Sequence, residues 1–116
     1  MKTAIVLYTD RLIPARFAGY TVGPLILIRP SHRWDRGLLE HERVHVAQFW
    51  RTLGLSGIGY WLSRRYRLAC EVEAYREQLR WDSSPALAAR LFARFLSEKY
   101  DLKISVDQAL AELSRP

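Results

Sequence analysis

The spacing of apolar residues divides the chain into a strand-forming first third and a helical remainder. Residues 3–8 and 25–28 are short apolar runs, the first rich in β-branched and aromatic residues, and residues 20–22 suggest a third short strand between them. Pro24 and Pro30 flank the second run, so we expect that strand near a sheet edge, where an extended peptide could pair with it.

After residue 34 the apolar period changes from two to about 3.6, which predicts helices. Asp35 is a candidate N-cap, and Gly54 ends this first helix. The glycines of residues 54–59 indicate a flexible connection to a long second helix over about residues 62–81.

Two further helices are predicted towards the carboxyl terminus. Ser84 and Pro85 begin one that extends to about Tyr100, and Ser105 with Gln108 forms a capping box that opens the last. Strands first and helices after predict an α+β fold, with a sheet of about three strands followed by a helical half.

The length and composition indicate one ordinary domain over residues 1–116. The single cysteine, Cys70, cannot form an internal disulfide, which fits a reducing compartment. The first apolar run is shorter than that of a signal peptide, and no apolar stretch has the length of a membrane span. We therefore expect a cytoplasmic protein.

The formal charge of +6 comes from 18 basic residues, scattered along the chain rather than gathered in a stripe. Such charge attracts nucleic acid or anionic membranes nonspecifically, but no nucleic-acid-binding motif accompanies it. A basic nucleic-acid-associated protein is therefore only an alternative. Residues 60–65 combine aromatic and cationic groups as an interfacial segment does, yet we expect a helix start packed on the core there, and the four tryptophans in packing roles.

His41, Glu42 and His45 form the run His-Glu-Arg-Val-His within the first predicted helix. The four-residue spacing places both imidazoles on one helix face, where they can bind a single divalent metal, and the glutamate can reach the metal-bound water. These residue types in this pattern predict a zinc hydrolase, with one zinc per chain.

A catalytic zinc needs a third protein ligand, and the chain has no histidine after His45. If the second long helix returns antiparallel, Glu71 arrives level with His45, whereas Glu73 faces another side. Cys70 and the upstream His32 are the remaining alternatives.

The two motifs together resemble the gluzincin metallopeptidases, and the compact form resembles the small soluble minigluzincins. The resemblance rests on His41-Glu42-Arg43-Val44-His45 followed by Glu71-x-x-Ala74, and covers about residues 20–80. It implies that His41, His45 and Glu71 bind zinc and that Glu42 is the general base. Many membrane-embedded relatives have an aspartate where this chain has Tyr75.

The expected substrate is a peptide or protein, hydrolysed by a zinc-activated water. The sequence offers four candidates for the residue that donates to the oxyanion and does not rank them: Tyr60, Tyr66, Tyr75 and His32. The alternative within the same fold is a latent or catalytically silent zinc-binding accessory protein, since the segment after Tyr100 could lie over the cleft.

Overall fold

The computed structural model describes residues 3–115, and within them it confirms the α+β class, with a three-stranded sheet followed by five helices. The strands are β1 (Ile5–Tyr8), β2 (Gly19–Val22) and β3 (Leu25–Ile28). The single domain over residues 1–116 stays a prediction, and residues 1, 2 and 116 lie outside the described part.

β3 is the central strand, so its predicted place at a sheet edge was wrong. The strand order is β1-β3-β2, with β1 parallel and β2 antiparallel to β3. Pro24 and Pro30 lie just outside the strand, where they remove no hydrogen bond from the ladder, and the apolar run between them is buried. Because both sides of β3 are paired, a peptide cannot add to it.

The helices are α1 (Arg36–Arg51), α2 (Leu55–Leu62), α3 (Arg64–Leu79), α4 (Pro85–Glu98) and α5 (Val106–Ser114). Asp35 caps α1 by accepting a hydrogen bond from the Leu38 backbone N–H at 3.0 Å. The capping box predicted for Ser105 and Gln108 is present at the start of α5. None of the helices described within residues 3–115 is long and apolar enough to cross a bilayer.

α2 replaces the flexible connection that the glycines suggested. Gly54 has φ +90°, a left-handed conformation that lets the chain leave α1 and start a new helix at once. A Cβ atom on Gly59 would lie 3.0 Å from the Tyr66 ring, so glycine permits close packing of α2 on α3 there. These glycines serve a turn and a helix contact rather than flexibility.

α3 runs antiparallel along α1, which is the arrangement on which the predicted position of Glu71 depends. Gly37 at the start of α1 lies beside Gln78 at the end of α3, and Gln48 near the end of α1 reaches Cys70. The sheet packs on the opposite side of α1, with Ile26, Ile28 and Val46 in a shared core. α1 is thus held between the sheet and α3.

The segment after Tyr100 belongs to a second core and does not cover the cleft that contains the paired histidines. Leu102, Ala109 and Leu113 are buried with side chains of α3 and α4. Tyr100 is the last described residue that lines the cleft. The expectation that this segment could lie over the site was therefore wrong, because its apolar face completes the helical core.

Candidate metal centre

His41 and His45 lie one turn apart on the face of α1 that meets α3. Their ring centroids are 5.0 Å apart, and atoms of His41, Glu42 and His45 suitable as metal ligands all lie within 4.8 Å of one another. His41 and Glu42 are buried, and His45 is partly exposed. This buried group can hold a metal ion.

The carboxylate of Glu71 on α3 contacts both imidazoles. Its Oε1 is 3.3 Å from His41 Nε2 and its Oε2 is 3.1 Å from His45 Nε2, and Glu71 is only 2% exposed. Glu73 points instead to Arg51, and Glu77 pairs with Arg80 further along α3. Of the three acidic residues on α3, Glu71 is the one beside both histidines, as the antiparallel geometry required.

The alternative third ligands are placed differently. Cys70 is buried and lines the cleft, and burial raises the pKa of its thiol to about 11, which disfavours the thiolate that a metal requires. His32 lies in a short helical turn before α1, where its Nδ1 is 3.1 Å from the Ser31 hydroxyl. Glu71 is therefore the best placed of the candidates.

Gln48 determines which nitrogen of His45 carries hydrogen. The Gln48 amide nitrogen donates to two groups that can only accept, the Cys70 carbonyl oxygen at 3.0 Å and a Glu73 carboxylate oxygen at 2.9 Å. Its oxygen must then face His45 Nδ1 at 2.9 Å, so that Nδ1 is the donor. In a neutral His45, Nε2 consequently has a lone pair directed towards Glu71.

A lone pair facing a carboxylate oxygen needs a cation between them. Burial lowers the pKa of His45, but the carboxylates of Glu71 and Glu42 and the bond to Gln48 outweigh it and raise the pKa to about 9. Burial likewise raises the pKa of Glu71, yet the two histidines hold it well below its usual range. Either a proton on His45 or a bound metal can supply the positive charge.

Two buried polar atoms of this group have no hydrogen-bond partner among the described residues, Glu71 Oε1 and His41 Nδ1. An unpartnered buried carboxylate oxygen is costly, and a metal ion would satisfy it. Ligands bound at 2.0–2.1 Å in a tetrahedral zinc site lie about 3.3 Å apart. The separations between Glu71 and the imidazoles, 3.3 Å from Oε1 to His41 and 3.1 Å from Oε2 to His45, are of that size, and two nitrogens with a carboxylate are a donor set that zinc accepts.

Glu42 is held by β2 on the side of α1 next to the sheet. The Thr21 hydroxyl donates to Glu42 Oε1 at 2.7 Å. A Cβ atom on Gly19 would lie 3.0 Å from Glu42 Oε2, so glycine allows β2 to approach the carboxylate closely. Sequence reasoning did not assign these two residues to the site, because no local spacing links β2 to α1.

Aromatic side chains enclose the group from α2 and α3. The Tyr60 hydroxyl donates to Glu71 Oε2 at 2.5 Å, and burial together with this carboxylate raises the pKa of Tyr60 far above its usual value. The ring of Tyr75 packs edge-on against His41, with centroids 4.4 Å apart, and its hydroxyl shares a hydrogen bond with Tyr100. Of the proposed oxyanion donors, Tyr60 is the one that lines the cleft.

The cleft in front of these groups has a volume of about 290 Å³. Its walls come from β2, α1, α2 and the middle of α3, and Phe17 and Tyr100 also line it. The residues of β2 and its turn that line it are Gly19, Tyr20, Thr21, Val22 and Gly23. Residues of β2, which is an edge strand, therefore border the cleft, whereas residues of β3 do not.

Comparisons of the chain with protein-family models, curated protein sequences and solved structures found no match. The likeness to gluzincins therefore rests on the residues of the two motifs alone.

Proposed function

We propose that the chain is a zinc-dependent peptidase in which His41, His45 and Glu71 hold the ion and Glu42 is the general base. The observation that carries the proposal is the facing pair of His45 Nε2 and Glu71, 3.1 Å apart, with Nδ1 committed to Gln48. Two imidazoles and one carboxylate leave the fourth position of a tetrahedral zinc for water, as a catalytic site requires.

Zinc at this position would lower the pKa of its water ligand towards neutrality and polarise a substrate carbonyl. Glu42 would accept the proton of that water and pass it to the leaving amine, a role supported by the fact that Thr21 holds only one of its oxygens. The raised pKa of Tyr60 keeps its hydroxyl protonated, so that it can donate to the developing oxyanion.

A peptide substrate fits the cleft as an added strand on β2. β2 pairs with β3 on one side, and its residues line the cleft. Addition of an extended peptide to a sheet edge binds its backbone without requiring a particular sequence. This placement replaces the pairing with residues 25–28 that the sequence suggested.

The test combines metal content with turnover. Protein purified with zinc present should contain about one zinc per chain, and His45→Ala and Glu71→Gln should lose it. Glu77→Gln, on the same helix but paired with Arg80, is the matched control and should retain the ion. Glu42→Gln should keep zinc but fail to cleave a fluorogenic peptide library. A wild type without stoichiometric metal would refute the proposal.

A zinc-binding protein without turnover is the second candidate, and the position of Tyr60 favours it. Its hydroxyl occupies a Glu71 oxygen inside the cleft. If Tyr60 blocks the site, Tyr60→Phe should increase peptide cleavage. If Tyr60 is the oxyanion donor, the same substitution should lower kcat with little change in KM, since the lost interaction forms only in the transition state.

A further inference from the structure

The outward face of α2 is apolar, and its inward face is small or polar. At 100° per residue, the apolar side chains fall within about one third of the helix circumference. They are exposed by 58–81%: Leu55, Ile58, Trp61 and Leu62. Ser56, Gly59 and Tyr60 face the protein. This is the reverse of a helix packed on a core, so the expectation of a core-packed helix start over residues 60–65 was wrong.

Exposed residues also lie on both sides of α2 along the chain. Leu53, two residues before the start of α2, is 87% exposed. Arg64 and Arg65, which follow Leu62 after Ser63, are also exposed. A contiguous exposed apolar surface beside charged residues is typical of a protein or membrane interaction site.

The chain around α2 is basic, and Arg64 and Arg65 have no acidic partner among the described residues, whereas Arg43 and Arg51 pair with Glu40 and Glu73. Between Glu42 and Glu71 the chain has five arginines and no acidic residue, although it has 12 acidic residues in all. Basic side chains next to exposed leucine, isoleucine and tryptophan are the composition of helices that lie in the plane of an anionic bilayer. Tryptophan in particular favours the boundary between water and lipid.

We propose that α2 docks on an anionic lipid surface, with its outward face at the headgroup–acyl boundary and Arg64 and Arg65 at the lipid phosphates. A second copy of the chain is a poorer occupant of this face. Two-fold pairing brings the same surface of both subunits together, so the arginines of one copy would lie near those of the other. An anionic bilayer instead complements both the apolar side chains and the arginines.

Docking by this face does not involve the metal ligands. The inward side of α2 and Trp61 line the cleft, whereas Leu55, Ile58 and Leu62 do not. Lipid binding should therefore persist in EDTA and in His45→Ala. The docking proposal and the peptidase proposal can consequently fail independently.

The experiment is co-sedimentation of the full chain with vesicles, one set of phosphatidylcholine with about 30% phosphatidylglycerol and one of phosphatidylcholine alone. The wild type should sediment with the anionic vesicles, and less as salt rises. Ile58→Ser with Leu62→Ser should lower partitioning at least tenfold. Arg64→Gln with Arg65→Gln should lower it by about 10- to 30-fold, since each arginine near the surface contributes roughly fivefold.

Matched controls distinguish docking by this face from nonspecific hydrophobic or electrostatic binding. Trp34 is 89% exposed outside α2, so Trp34→Ser should bind as the wild type does, whereas Trp61→Ser should not. Arg90→Gln with Arg94→Gln, at exposed positions of α4, should lower partitioning onto anionic vesicles less than the two substitutions at Arg64 and Arg65 do. Thermal melting of each variant checks that it folds.

The proposal is overturned if the wild type does not sediment with anionic vesicles, or if it binds neutral vesicles equally well. Unchanged binding of the Ile58→Ser, Leu62→Ser variant would also overturn it. A dimer in light scattering that this variant disperses, without vesicle binding, would assign the face to self-association instead. Equal losses in Trp34→Ser and Trp61→Ser would show that docking is not specific to α2.

Discussion

At the scale of single residues, Gln48 links the paired histidines to α3. Its amide is fixed by the Cys70 carbonyl and by Glu73, and it fixes His45 in turn. Partners of this kind hold a metal-binding imidazole in the required tautomer and orientation. Gln48 is three residues after His45 and therefore on the same helix face, so a spacing argument could have assigned this role from sequence.

Gln48→Leu should weaken metal binding by about 10- to 100-fold, because His45 Nδ1 loses its acceptor and the ring its fixed orientation. Competition with a chromophoric chelator measures the affinity. Gln78→Leu, a partly buried glutamine at the far end of α3, is the matched control and should bind metal as the wild type does. Equal affinities of wild type and Gln48→Leu would contradict the role of Gln48.

Proton competition at His45 should make metal affinity depend on pH. Without metal, the pKa of His45 is raised to about 9, so at pH 7 the imidazole carries a proton that a metal must displace. The apparent affinity should therefore rise about tenfold per pH unit from pH 6 to 8 and level off as pH passes about 9. Calorimetry in buffers of different ionisation enthalpy counts the protons released. A count near zero at pH 7 would contradict a protonated His45.

At the scale of elements, the strands and long helices follow from local pattern, and the errors come from tertiary context. The strand of residues 25–28 was predicted, but its central place depends on which strands flank it, which no local signal carries. α2 was missed because Gly57 and Gly59 disfavour a helix locally, although its apolar residues recur at helical spacing and Gly59 packs on Tyr66. The position of Glu71 could be predicted because the rise per residue of two antiparallel helices brings it level with His45.

The contribution of the α5 capping box to the free energy of unfolding can be measured by itself. Ser105 Oγ accepts from the Gln108 backbone N–H at 3.0 Å, and the Gln108 side chain accepts from the Ser105 backbone N–H at 2.9 Å. Ser105→Ala should lower the free energy of unfolding by about 1 kcal/mol, because it leaves the first turn of α5 uncapped. Denaturant unfolding measures it, with exposed Ser83→Ala as the control, for which we expect a change within about 0.5 kcal/mol.

Deletion of α5 should lower the free energy of unfolding more than loss of its cap does. Ala109 and Leu113 are buried in the core that also contains Tyr75, and Tyr75 packs against His41. A chain shortened after Asp101 therefore exposes this core instead of opening the cleft. Such a truncation is unsuitable as a test of latency, for which Tyr60→Phe is the better variant.

At the scale of the whole molecule, the candidate metal centre joins the two halves of the fold. Glu42 contacts β2 through Thr21, and Glu71 belongs to α3, which packs into the helical core. The two cores otherwise have separate sets of buried side chains. A metal held by α1 and α3 would therefore cross-link the layer on the sheet to the helical layer.

Metal removal should consequently lower the stability of the entire fold. A ligand that binds only the native state, at about 1,000 times its dissociation constant, stabilises by about 4 kcal/mol. For a chain of this size that corresponds to a Tm shift of roughly 15 °C. Calorimetry with zinc and with EDTA should show this difference in the wild type and in Glu42→Gln. Glu71→Gln should melt at one temperature in both conditions, since without the carboxylate no ion links α3 to α1. A wild-type Tm unaffected by EDTA would exclude a structural contribution from the metal.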